Sequence, residues 1–271
     1  MKKNIYLLLV IALVLVGLLT SCDDNETTIR VGATPAPHAQ ILNSKAVQDY
    51  VKSKGYTLEV VIYQDYVTPN KALNDGGIDA NYFQHIPYLE EEIALKGYDL
   101  SVACEVHNEP LNMYGKENKT SWDNTKIYTI TDATNAARAF ELLKANGLID
   151  SYVVDKDFNP KNPIYTSSIG VTVECIDAGL LHQKVSEGGY AVIPGNYALT
   201  AWSTEKATQY KLFGESIEVA YPNIIAVQTS KLDSEKTKIL VEALAQPEVK
   251  AYIESTYGPT VNYLFKSYLA N

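Results

Sequence analysis

The sequence predicts an α/β protein of two lobes, and three features carry that expectation. From Thr28 onward, short β-rich runs alternate with amphipathic helical stretches, which argues for a parallel or mixed sheet covered by helices on both faces. Two segments, Glu109 to Tyr114 and Tyr221 to Val227, break that rhythm and read as paired crossover strands of a hinge. After the second of them the chain returns to its first unit for two more helices. A chain that crosses twice makes a cleft whose walls move about the crossovers.

The elements follow in order. Thr28 to Gly32 is a strand candidate, and Ala39 to Lys54 carries Leu42, Ala46, Val47, Tyr50 and Val51 at helical spacing before Gly55. Leu58 to Tyr63 is a second strand. Thr68-Pro69 reads as an N-cap with proline in the first turn of a short helix that ends at Gly76-Gly77. A brief strand Ile78 to Ala80, a helix from Pro87 to Lys96 closed by Gly97, and a strand from Leu100 to Val106 complete the first unit. The second holds a strand at Lys126 to Ile130, helices at Asn135 to Asn146 and Ile176 to Ser186, and a strand at Tyr190 to Pro194. The returning helices are Ser234 to Ala245 and Glu248 to Tyr257.

Ahead of all this stand Met1-Lys2-Lys3, an apolar run from Ile5 to Leu19, and Thr20-Ser21-Cys22. The run is shorter than the ~20 residues a helix needs to cross a bilayer, so it reads as a secretion signal rather than a permanent span. Leu19-Thr20-Ser21-Cys22 resembles the lipobox, in which the cysteine is acylated and cleavage precedes it. Each buried CH₂ contributes ~0.8 kcal/mol, so two or three acyl chains hold a protein on a membrane where one would not. The expected layout is a signal peptide over 1–21, a lipidated tether over 22–27, one lobe from 28–110 with 224–271, and the other from 111–223.

Composition narrows the function classes. The net charge is −9 and no basic run could neutralise a phosphate backbone, which argues against a nucleic-acid partner. There is no G-x-S-x-G elbow, no H-E-x-x-H and no glycine-rich phosphate loop, so catalysis has no candidate constellation and no cofactor is implied. His38, His85, His107 and His182 show no metal-ligand spacing, so no metal is expected. Cys104 and Cys175 match no disulfide framework and read as buried free thiols.

Three stretches are informative together: Val31-Gly32-Ala33-Thr34-Pro35-Ala36-Pro37-His38-Ala39, Asp65-Tyr66-Val67-Thr68-Pro69-Asn70-Lys71-Ala72-Leu73, and Asp79-Ala80-Asn81-Tyr82-Phe83-Gln84-His85-Ile86-Pro87-Tyr88-Leu89. With Thr134 to Ala139 and Gly195 to Leu199 they resemble, in order and spacing, the methionine-binding lipoprotein family. The resemblance implies a two-lobed periplasmic binding protein fold of type II character. It also implies capture of L-methionine or a close analogue for a membrane permease driven by a separate ATPase. The carrier would be a monomer, anchored in the cell envelope outside the cytoplasm. By that resemblance Tyr66, Phe83, His85 and Tyr88 enclose the ligand side chain. Arg138 holds its carboxylate, and Asn135, Asn196 and Asn223 bind its head group. Thr131-Asp132-Ala133 and Leu181-His182 depart from the family pattern and put the local loop shape in doubt.

The same residues admit plainer readings. Arg138, offered a ligand carboxylate by the resemblance, could instead salt-bridge Glu141 or Asp132 on a solvated helix face. Tyr66, Phe83 and Tyr88 could be core aromatics, His85 a structural histidine, and Asn196 and Asn223 turn caps. A methionyl dipeptide or another amino acid remains open as ligand, as does a non-transport surface lipoprotein or adhesin.

Overall fold

The computed structural model describes residues 27–216 and 221–270. The apolar leader, Cys22 and all but the last residue of the tether lie outside the described residues.

Strands β1 (Thr28–Ala33), β2 (Thr57–Ile62), β3 (Ala80–His85), β4 (Leu100–Asn108), β12 (Pro222–Gln228) and β13 (Asn262–Ser267) form one sheet in the order β13-β4-β12-β3-β1-β2. The β1 pairings with β2 and β3 are parallel, while β12 runs antiparallel between β3 and β4. The intervening β5 (Asn112–Tyr114), β6 (Lys126–Ile130), β9 (Thr172–Ile176), β10 (Tyr190–Ile193) and β11 (Lys211–Gly214) build a second sheet in the order β11-β5-β10-β6-β9. A separate hairpin pairs β7 (Ser151–Val153) with β8 (Ile164–Thr166). The helices are α1 (Lys45–Ser53), α2 (Thr68–Asn74), α3 (Ile86–Lys96), α4 (Ala133–Ala145), α5 (Ala178–Ser186), α6 (Gly195–Ala201), α7 (Thr204–Tyr210), α8 (Glu235–Leu244) and α9 (Pro247–Tyr257).

Each sheet is buried on both faces, and period-two alternation explains how one strand serves two cores. In β12, Ile225 and Val227 join Ile29, Val47, Val51, Leu240 and Ile253 on one side, while Ile224 and Ala226 join Leu73, Leu89 and Leu100 on the other. In β10, Val192 packs with Phe140 and Leu143, whereas Ala191 and Ile193 pack with Leu181 and Trp202. This is the mixed α/β, two-lobed architecture expected. Among the described residues no helix is long and apolar enough to cross a membrane.

Several elements depart from expectation for local reasons. The stretch Ala39 to Lys54 is not one helix: Ser44 turns extended and accepts the Val47 N–H, which restarts the helix as α1. The strand expected at Ile78 to Ala80 begins at Ala80 and runs on to His85, because β1 and β12 flank it. Thr68 is not the cap of α2; the Asp65 carboxylate accepts the Val67 and Thr68 N–H groups instead. The crossovers are shorter than proposed, since Asn112 to Tyr114 lies within the second sheet and Pro222 onward within the first. Asn223, placed by expectation in the second lobe, pairs across β12 with His85 and His107 in the first-lobe sheet, so β12 begins two residues ahead of the expected return at 224. Cys104 is a buried free thiol as expected, and Cys175 is free but only half-buried.

The motif residues between the aromatic ones hold the first lobe together. Asn70 Nδ2 donates to Gln84 Oε1 at 2.8 Å, Gln84 Nε2 donates to Asn70 Oδ1 at 2.7 Å and to Asn81 Oδ1 at 3.0 Å, and Asn81 Nδ2 donates to Asn70 Oδ1 at 2.8 Å. All three amides are buried, so their hydrogen bonds must be met internally, and meeting them locks α2 onto β3. Asn70→Ala therefore orphans Gln84 Oε1 and takes an acceptor from Gln84 Nε2 and Asn81 Nδ2, which keep bonds to Asn81 Oδ1 and the Pro69 carbonyl, and is expected to cost about 1–3 kcal/mol, the range for one orphaned group. Denaturant unfolding measures it; a loss under ~0.5 kcal/mol would mean water replaces the asparagine.

Candidate functional site

The β3–α3 junction supplies the first wall. Phe83 and His85 end β3, and His85 doubles as the cap of α3, its Nδ1 accepting the Tyr88 N–H at 3.2 Å. Tyr66, in the turn before α2, stands against Phe83, Tyr88 and Tyr197, with ring centroids 5.7, 5.8 and 5.1 Å away. Tyr88 fixes that turn by donating its hydroxyl to the Tyr66 carbonyl at 3.1 Å.

The second lobe answers from two helix starts. Asp132 caps α4 and accepts from both the Asn135 N–H, at 2.8 Å, and Asn135 Nδ2, at 3.0 Å. That orients Asn135 Oδ1 outward, where it accepts from His85 Nε2 at 3.1 Å and from Arg138 Nη1 at 3.0 Å. Asn196, in the first turn of α6, accepts the Tyr66 hydroxyl at 2.6 Å. Two polar contacts, His85 to Asn135 and Tyr66 to Asn196, thus bridge the lobes.

All eight residues named by the sequence reading (Tyr66, Phe83, His85, Tyr88, Asn135, Arg138, Asn196 and Asn223) line one cavity. Gln84, Glu109, Pro194 and Gly195 complete its lining.

Arg138 departs from the plainer of its two expected settings. It does not face open water, and neither Glu141 nor Asp132 is its ion-pair partner: Glu141 instead accepts from the Tyr152 hydroxyl. Its Nε and Nη2 fork is taken by Glu215, at 2.9 and 2.6 Å, in a buried pair. Nη2 also donates to the Glu109 carbonyl at 3.3 Å, and the guanidinium lies 4.1 Å over the Tyr221 ring. With the Nη1 bond to Asn135, these contacts take four of the five guanidinium N–H groups and leave one on Nη1.

A cluster the sequence spacing does not suggest lies behind the cavity. His38, His107 and Glu109 bring ligating atoms within 4.8 Å of one another, all three buried. His107 Nε2 lies 2.8 Å from Glu109 Oε1, while His38 Nε2 lies 2.9 Å from Asn223 Oδ1 and 3.3 Å from Glu109 Oε1. These oxygens only accept, so each Nε2 carries the proton and each Nδ1 accepts, from the Thr34 hydroxyl at 2.7 Å and from the Tyr82 hydroxyl. Burial holds His38 and His107 down at about 4 and about 3, and burial with the nearby Arg138 charge holds His85 at about 3. Burial pushes the Glu109 carboxyl up to about 7, against the pull of His38 and Arg138. His38 and His107 are 69 residues apart in sequence, and only the sheet order brings them together. The one local sign was an acid beside a proline, Glu109-Pro110, at a crossover.

Two α/β lobes joined by two connections, with a polar and aromatic cavity between them, define the class of two-lobed solute-binding proteins. The chain belongs to the NlpA lipoprotein family, whose model matches residues 29–263. It is 36% identical over 274 residues to the methionine-binding lipoprotein MetQ of Bacillus subtilis strain 168, over 92% of this chain and 94% of the relative. Among solved structures, a nutrient binding protein from Burkholderia cenocepacia bound to methionine matches with TM-score 0.77 at 30% identity, over 87% of this chain and 99% of that one. An ABC transporter periplasmic substrate-binding protein from Coxiella burnetii matches with TM-score 0.76 at 26% identity, over 87% and 100%.

Two consequences for stability follow from the site. Arg138→Ala strands a buried Glu215 carboxylate and is expected to cost about 3–5 kcal/mol, whereas the double variant Arg138→Met, Glu215→Leu recovers part of the loss. Chemical denaturation of both variants is the check, and an Arg138→Ala protein as stable as its parent would mean that Glu215 finds water.

The second concerns acid. The folded values of His38, His85 and His107 lie below their ordinary 6.5, so below that pH the unfolded chain binds more protons and stability is lost as pH falls. Glu109, raised from 4.5 to about 7, works in the opposite sense between those values, and Asp132, Glu91 and Glu92, also raised by burial, add to it more weakly; among the strongly shifted groups one stands against three. The melting temperature of the solute-free protein should therefore drop by several degrees from pH 7 to pH 5, at ~2–4 °C per kcal/mol for this size. A flat or rising profile on acidification would contradict the neutral assignment.

Proposed function

We propose that this chain is the solute-binding lipoprotein of an ABC importer and that its solute is L-methionine or a close analogue. The observation that carries the reading is the single cavity in which an arginine edge and amides from both lobes face a wall of aromatic rings. A zwitterionic amino acid needs a cation for its carboxylate, polar groups for its head and a shaped apolar pocket for its side chain. Arg138 Nη1 supplies the first, Asn135, Asn196 and Asn223 flank the head group, and Tyr66, Phe83, His85 and Tyr88 surround the side chain. The relatives whose names carry methionine support the choice of side chain.

The mechanism is capture without chemistry on the solute, so the protein acts as a carrier and not as an enzyme. Solute enters between the lobes, contacts from both sides favour the closed form, and that form docks as a monomer on a permease whose ATPase is a separate subunit. Acylated Cys22 would keep the carrier at the membrane outside the cytoplasm, with the tether allowing the lobes to reach the permease. The lobes that close on each other are the units built on the two sheets.

Methionine should be preferred over leucine and glutamine. A long unbranched thioether reaches flat polarizable rings, and sulfur–aromatic contacts add ~0.3–1.5 kcal/mol to the ~1.5–3 kcal/mol of burying the side chain. Branched leucine fills such a slot poorly, and glutamine needs its amide satisfied. The expected margin over leucine is about tenfold or more. Competition calorimetry against bound methionine, with leucine, glutamine and glycyl-methionine, decides it. Equal competition by leucine or glutamine would sink the thioether argument, and displacement by the dipeptide alone would make a peptide the solute. A surface adhesin would show no stoichiometric thermal stabilisation by any of them.

A further inference from the structure

The amides assigned to the amino-acid head group are already engaged. Asn196 Oδ1 accepts the Tyr66 hydroxyl, and Asn223 Oδ1 accepts from His38 Nε2. A buried ammonium has three N–H donors and a full charge, and neutral oxygens that each hold one bond already are a weak answer to it. One charged acceptor on the cavity wall is differently placed. Glu109 is 6% exposed, its Oε1 is held by His107 Nε2 at 2.8 Å with His38 Nε2 at 3.3 Å, and among the described residues its Oε2 has no hydrogen-bond partner.

We propose that Glu109 is the ammonium-recognising residue of this cleft: its Oε2 receives an N–H of the solute's α-ammonium while the two histidines hold Oε1 in place. The assignment rests on the reading of the solute as an amino acid and gives that reading a specificity determinant.

Three features of the surroundings agree with it. The Glu109 carbonyl accepts from Arg138 Nη2, so the carboxylate-binding and ammonium-binding groups are neighbours, as a carboxylate and an ammonium on one carbon require. Gly195 of the second lobe packs against Oε2, where a Cβ would lie 2.7 Å from that oxygen, so any larger residue would take the space beside it. Among the described residues Glu109 is also the one acid in the cavity lining, since Glu215 is paired with Arg138 outside it, so a solute ammonium finds its acidic partner there. His38 and His107, protonated at Nε2 and neutral, can steady Oε1 without cancelling its charge.

The test compares methionine with its des-amino analogue 4-(methylthio)butanoate by calorimetry on the full-length protein in detergent, freed of bound solute. The parent should prefer methionine by about 10- to 100-fold, the range of a charge-assisted hydrogen bond. Glu109→Gln should lose most of that preference by weakening methionine binding and leaving the analogue unchanged or tighter. Equal weakening of both ligands, or of neither, would overturn the proposal. If the parent binds neither ligand, the amino-acid reading itself fails and this assignment with it.

A measurement on the parent protein covers the case in which Glu109→Gln does not fold. The groups facing Glu109 are His38, His107 of β4, Arg138 of α4 and the hydroxyls of Tyr66, Tyr82, Tyr114 and Tyr257; burial keeps the two histidines neutral and the four hydroxyls protonated between pH 7.5 and 6, while Glu109, pushed up to about 7, changes state. Methionine affinity should then fall by up to about tenfold over that range while the analogue's does not. Parallel profiles for the two ligands would count against Glu109.

Discussion

A guanidinium taken out of water has to be answered on every side, and the organisation of the cleft follows from how Arg138 is answered. Glu215 takes its fork, Asn135 and the Glu109 carbonyl take further N–H groups, and Tyr221 covers its face. These partners come from the helix that opens the second lobe and from the two connections between lobes. The charge that would meet a solute is thus tied to the hinge itself. Removing water from such a pair costs several kcal/mol per ion and is recovered only when the geometry is complete. Here Glu215 also donates nothing and accepts the Leu111 N–H at 2.7 Å, so the same carboxylate fastens the outgoing crossover. Solute recognition and lobe connection share one set of hydrogen bonds.

Behind the cavity, proton placement is imposed by the chemistry of the partners. Hydroxyls of Thr34 and Tyr82 face the inner nitrogens of His38 and His107, and acceptor oxygens face the outer ones, so both rings are neutral donors toward Glu109. Burial disfavours charge on all of them, and it disfavours the Glu109 anion as well. A carboxylate kept near its neutral form in the empty cleft is stabilised when an opposite charge arrives. The Asn70, Asn81 and Gln84 amides of the first lobe meet one another with internal bonds, and of the four buried carboxylate oxygens without a hydrogen-bond partner among the described residues, on Glu91, Glu92, Glu109 and Asp132, that of Glu109 alone belongs to the cavity lining.

Much of this could be read from the residues, and what could not has a common cause. The strand at Lys126–Ile130 and the helix stops at Gly97 and Gly147, both left-handed in the structure, are set by neighbours in sequence. The aromatic set Tyr66, Phe83 and Tyr88 falls where strands hand over to helices, and topology brings it to one wall. The hairpin β7–β8 and strands β9, β11 and β13 went unseen because three to six residues without strong alternation carry little local signal. Arg138 was legible as a cation on the right helix, but its partner Glu215 lies 77 residues away and no helix-face rule reaches it. His85 needed neither of its two readings discarded. It caps α3 through one nitrogen and reaches the opposite lobe through the other, a double use that spacing alone does not reveal.

The bridges across the cleft bear on how a solute could drive closure. His85 already meets Asn135, and Tyr66 already meets Asn196, with only protein groups involved. A ligand shifts the balance between open and closed forms only by what it gains in the closed form beyond what it gains in the open one. Contacts confined to the first lobe, such as those to Phe83 and Tyr88, are made equally in both forms and contribute affinity without closure. On the reading proposed above, the closing free energy would come from groups that a solute meets only when the lobes approach, Arg138, Asn135 and Asn196, all of which line the cavity. The side-chain pocket would then govern which solute stays, and the head-group shell whether the lobes close on it.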